Sequence, residues 1–116
     1  MKEKLIILKE AGKINQSTQT FVLHTFEHVR GRFELDEDNE VLNTAMTHLA
    51  MAVARQSGGE SVEAMNEELF SQIKENDAYR ESKRLWEEIR ESSPLTFTPS
   101  EEQYMLLHLC NVINQK

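Results

Sequence analysis

Between Thr98 and Ile113 the chain is apolar on nearly every side of a helix: Tyr104, Met105, Leu106, Leu107, Leu109, Cys110, Val112 and Ile113. A helix without a polar face belongs at the centre of a fold. Its start is written in the residues ahead of it. Thr98 supplies an N-cap, Pro99 takes the first helical position where its missing N–H costs nothing, and Glu101 follows three residues after the cap, as in a capping box. The same helical period governs the rest of the chain. Leu5, Ile6 and Leu8 predict a short helix, or a loose arm, before Gly12. Phe21, Val22, Phe26 and Val29, with Leu23 beside them, predict a helix from an Asn15 or Ser17 cap to about Arg30, with Gly31 ending or loosening it. Leu42, Ala45, Met46, Leu49, Ala52 and Val53 mark an amphipathic helix from Asp38 to Arg55. After the break at Gln56-Ser57-Gly58-Gly59, Ser61 can cap a helix through Leu69, Phe70 and Ile73. Asn76-Asp77 starts another, with Tyr79, Leu85, Trp86 and Ile89 as its buried stripe, ending near Ser92. No segment alternates with period two for long enough to predict a strand. The pattern predicts one all-helical domain over residues 1–116.

Composition narrows the function more than the fold. The 116 residues carry a formal charge of -7, with both signs interspersed. There is no basic stripe, which argues against direct nucleic-acid binding. No run of about 18 apolar residues predicts a membrane span. Met1 to Ile14 lacks the long apolar region and cleavage site of a signal peptide. The single cysteine, Cys110, falls in the apolar helix and reads as a small core residue in a reducing compartment. These features predict a cytoplasmic protein without metal or cofactor.

Four histidines carry the candidate chemistry. His24-Thr25-Phe26-Glu27-His28 matches H-x-x-E-H, an inverted zinc-protease pattern. A catalytic zinc needs a third protein ligand and a substrate cleft, and the sequence offers neither plainly; a small metal-dependent hydrolase is the minor alternative. His48 shares a helical strip with Val41, Ala45, Ala52 and Arg55, and Arg55 can reach back over that face. His108 shares a strip with Tyr104 and Glu101. Each could be a core-edge histidine satisfied by one hydrogen bond, in a purely structural interaction bundle. A neutral imidazole can also accept a phosphoryl group, with nearby cations stabilising the charge in transfer.

Two stretches resemble the signatures of a known family, the PRD or phosphotransferase-system regulation domain. THLAMAVAR, residues 47–55, resembles the first: a histidine followed two turns later by arginine in an apolar helix. SEEQYMLLHL, residues 100–109, resembles the second, with its acidic residue at Glu101, its aromatic at Tyr104 and its histidine at His108. The separation, the two intervening helices and the LTFTPSEE lead-in agree. The likeness is best over residues 38–116; Ser17 to Phe33 would be the family's first helix, and residues 1–14 an extra helix or a dimer arm.

The resemblance implies a five-helix bundle of two antiparallel helix pairs with a further helix packed across them. It implies phosphorylation of His48 and His108 by the histidine phosphocarrier HPr or a sugar-specific enzyme II component, with Arg55 neutralising charge and no turnover chemistry. Glu101 either orients that site or closes the capping box, and Tyr104 either hydrogen-bonds near His108 or is a core aromatic. Family members often stand in tandem behind a nucleic-acid-binding module, and phosphorylation alters their dimerisation and so switches antitermination or transcription. This chain shows one such unit and no room for that module. It therefore resembles a stand-alone member, a homodimer that signals to a protein partner in carbohydrate-linked regulation. It departs from the pattern at Thr47, where the family often has aspartate; that removes a carboxylate able to orient the His48 ring.

Overall fold

The computed structural model describes residues 1–60 and 62–115. Six helices and no strand occur among them: α1 Lys2–Glu10, α2 Gln16–Phe33, α3 Glu40–Ser57, α4 Glu67–Glu75, α5 Tyr79–Glu91 and α6 Pro99–Ile113. The count is one more than the five of the implied bundle, with a short N-terminal helix left open by the sequence as the extra one. The additional helix is α1, which is formed and is anchored by Leu5, fully buried in the core.

Capping side chains fix most helix starts. Asn15 Oδ1 accepts from the Thr18 N–H at 2.8 Å, which selects Asn15 over Ser17. Asn39 Oδ1 accepts from Leu42 N–H at 2.9 Å and so starts α3 at Glu40. Helix α2 runs straight through Gly31, because the burial of Phe33 outweighs the weak helix preference of one glycine. It ends where Glu34 turns left-handed, at φ 53°, and the Leu35 N–H caps the Arg30 carbonyl.

The α4 region differs from expectation. Ser61, the expected cap, lies outside the described residues, and residues 62–66 are not helical. Asn66 starts the helix instead, accepting from the N–H groups of Glu68 and Leu69 at 2.8 and 3.2 Å. Glu67 and Glu68 in the first turn favour the helix dipole, while Met65 is buried ahead of the cap. Asn76 leads into α5 by accepting from the Ala78 N–H.

One core runs from Leu5 to Ile113, and α6 is its axis. Helix α6 packs on α3, α5 and α4, while α2 packs on α3 and α1. Side-chain contacts set the direction of the central packing. On α3 and α6, His48 meets His108, and Arg55, two turns further on, meets Glu101, two turns back. Gln115 reaches Asn39 at the far end of the same seam. These contacts make α3 and α6 antiparallel. Helix α5 is likewise antiparallel to α6, through Cys110 to Ser82 at one end and Trp86 and Arg90 to Glu102 at the other. Phe97, in the extended lead-in to α6, stacks edge-on against Trp86. Burial pushes the Cys110 thiol pKa up, in keeping with an unreactive core residue.

Candidate functional site

The seam between α3 and α6 opens at one side into a cleft of about 260 Å³, lined by His48, Arg55, Val62, Glu101, Tyr104, Met105 and His108. The five residues that the resemblance assigns to the phosphoryl site, His48, Arg55, Glu101, Tyr104 and His108, therefore border one cavity. His48 and Arg55 reach it because seven residues return a helix to nearly the same face; Glu101 and His108 reach it from α6 for the same reason.

The two imidazoles are stacked. Their centroids lie 4.2 Å apart and their planes differ by 18°. His48 is exposed and His108 half-buried. Among the described residues, no ring nitrogen of either histidine has a protein hydrogen-bond partner. The Thr47 hydroxyl bonds back to the Asn43 carbonyl at 2.8 Å and gives His48 no support. Burial, and then the charge that His48 can carry beside it, lowers the His108 pKa to about 4. At neutral pH His108 thus keeps a bare ring nitrogen, the form that acts as a nucleophile.

Arg55 and Glu101 close the inner end of the cleft. The guanidinium donates from Nε and Nη2 to the two carboxylate oxygens, each at 2.9 Å. Glu101 is 1% exposed, and Arg55 holds its charge more firmly because of these bonds. The capping box is half formed. Thr98 Oγ1 accepts from the Glu101 N–H at 3.3 Å, but the Glu101 side chain does not return to Thr98. Gln56 Oε1 takes the Thr98 N–H at 2.7 Å instead. The sequence marked Gln56 only as the start of a break; it follows Arg55 directly, and its amide ties α3 to the N-cap of α6. Tyr104 borders the cleft and packs partly on the core, and its hydroxyl makes no protein hydrogen bond among the described residues.

His108 also borders a second cavity, with Glu40, Val41, Thr44 and Asn111. Only the first cavity offers it a cation. His24 and His28 lie elsewhere, exposed on α2, beside Glu88 and Glu91. His28 Nε2 is 3.3 Å from Glu88, which also binds Arg32, and Glu27 turns to Arg30. Among the described residues no three histidine, cysteine or acidic side chains converge to hold a metal. No helix among them is long and apolar enough to cross a membrane.

The His108 shift has a thermodynamic consequence. Its ordinary pKa is 6.5, so below that pH the unfolded chain binds a proton that the folded site refuses. Stability is full above about pH 6.5 and falls as pH drops from there toward 4. Urea unfolding at about pH 7.5 and about pH 5 is expected to differ by about 1 kcal/mol from this residue, solvent screening having reduced the full effect. His108→Asn should remove that share. An unchanged slope in the variant would show that the ring titrates normally. Glu88, held below the usual carboxylate range by Arg32, acts only at lower pH.

The chain is 27% identical over 109 residues to the uncharacterized protein YhfY of Escherichia coli strain K12, covering 94% of this chain and 91% of that protein. No solved structure matches it. The PRD domain family matches residues 19–112, from α2 into the end of α6 and across both histidines of the cleft. With that match over most of its length, the chain belongs to the PRD domain family.

Proposed function

We propose that this protein is a regulatory PRD whose His48 and His108 accept phosphoryl groups from phosphorylated HPr or an enzyme II component of the sugar phosphotransferase system. The observation that carries the reading is the stacked histidine pair bordering a cleft that also holds Arg55. Family membership supports a role in phosphotransferase-linked regulation; the donor and the residues are this reading's own. A bare imidazole nitrogen attacks the donor's phosphorus, and Arg55 offsets the charge that spreads over the phosphoryl oxygens. The products are a protein of altered charge and the dephosphorylated donor, so in this reading the role is a switch and not turnover. In this reading α2 to α6 are the family's five helices and α1 is an addition. The protein works in the cytoplasm, in carbohydrate-linked regulation.

Incubation with phosphorylated HPr tests it. Acid-labile label is expected on the unaltered protein and is expected to vanish in the His48→Ala/His108→Ala double variant. Label that survives in the double variant, or maps to His24 or His28, shows that other residues accept. No label at all would return the protein to the class of structural interaction bundles.

Signalling of this kind passes through assembly. The protein is expected to be a homodimer in solution, with twice the 13.5 kDa mass of the chain. Light scattering at roughly tens of micromolar decides this, and a single-chain mass there overturns it.

A further inference from the structure

From the stacked geometry we infer that the histidine pair is a single-occupancy site: a phosphoryl group on either ring excludes a second on the other. The inference rests on the phosphoryl-acceptor reading above and adds a rule of stoichiometry to it.

The geometry carries it in three steps. A ring nitrogen's lone pair, and any phosphorus bonded there, lies in the plane of its imidazole. With planes 18° apart and centroids 4.2 Å apart, the two rings present their edges side by side. Direct transfer from one ring to the other is therefore disfavoured, because an in-line transfer needs the two nitrogens to face each other across the phosphorus. Each ring must take its group from outside.

The second step is space and counter-charge. The cleft shared by both rings contains one cationic side chain, Arg55, and its guanidinium is already bidentate to Glu101. One phosphoryl group can compete for that guanidinium; two cannot each have it. The other cavity touches His108 alone and brings Glu40 toward it, a repulsive neighbour for an anion. Two phosphoryl groups on rings 4.2 Å apart would be adjacent anions with one cation to share.

The third step is chemical. In the transfer, the bare nitrogen of the neutral acceptor attacks phosphorus as the donor's P–N bond breaks. The donor imidazole, protonated on its other nitrogen, leaves neutral, and the accepting ring keeps its own N–H. The new anion then sits against the second ring. It repels the phosphoryl oxygens of a second incoming donor. The groups that face the pair are Arg55 and Glu40 from α3 and Glu101 and Tyr104 from α6, and they supply no second cation to relieve the repulsion.

The test uses full-length protein carrying His24→Gln and His28→Gln, so that only the stacked pair remains. It is treated with phosphoramidate, a small phosphoryl donor, and separately with phosphorylated HPr, and intact mass is read under alkaline conditions. Variants further carrying His48→Gln or His108→Gln are each expected to take one phosphoryl group. With both rings present, the doubly labelled form is expected at least about tenfold below the level that the two single-histidine variants predict for independent sites. A doubly labelled species at the independent level overturns the inference, and so does failure of both single-histidine variants to react with phosphoramidate. Single labelling by phosphoramidate with none from HPr upholds single occupancy and overturns the carrier reading.

Discussion

Arg55→Ala is expected to destabilise the protein by about 2–4 kcal/mol, measured as a shift in the urea midpoint at neutral pH. The reason is the residue left behind. Glu101 is 1% exposed, and both of its carboxylate oxygens are bound by Arg55. Removing the arginine strands a buried charge, which costs far more than the loss of a surface pair. The family resemblance gave Arg55 a charge-neutralising role and no structural one. The ion pair changes that expectation, and the variant must be assayed for folding before it is assayed for labelling. Arg55→Ala combined with Glu101→Leu should recover most of the loss, since an apolar side chain leaves no charge to satisfy. A loss below about 0.5 kcal/mol in the single variant, or no recovery in the double, would mean that the pair is solvated in solution.

Leu109→Ala should cost about 3–4 kcal/mol. Leu109 is fully buried beside His108, in the helix that touches α3, α4 and α5. Truncation removes apolar burial and opens a void that three packed neighbours cannot close together. Against a total stability of about 5–15 kcal/mol this is a large share, and the fall in Tm should be on the order of 10 °C or more. A loss under about 1 kcal/mol would show that the core around α6 repacks freely. Ile7→Ala is the useful contrast, because Ile7 is 64% exposed on α1.

The sequence was most legible where one physical rule acted alone. The stripe from Leu42 to Val53 and the all-apolar run after Tyr104 placed α3 and α6, since burial decides both. The shared face of His48 and Arg55 followed from helix geometry, as did that of Glu101 and His108. It was least legible where two local options competed. Ser61 and Asn66 are both good caps, and the choice of Asn66 goes with the burial of Met65, a tertiary fact. Gly31 looked like a stop, yet Phe33 has a core position to fill beyond it. Glu101 had a local partner in Thr98 and a distant one in Arg55. Capping rules see only the first, while the guanidinium wins because it offers two charge-assisted bonds to a buried carboxylate. The stacking of the two imidazoles depends on how α3 and α6 slide past each other, which no period along a single helix encodes.

The pairing of Arg55 with Glu101 joins residues 46 apart along the chain, and that span has a consequence in time. During synthesis α3 emerges long before its partner, with Leu42, Leu49 and Val53 lacking the helix that will cover them. Closing so long a loop is among the slower steps available to a helical chain. The cleft comes into being only at that step, when α6 has been made and has slid into register. A nascent chain holding His48 without His108 has no paired site, so the stacked pair exists only once folding is complete.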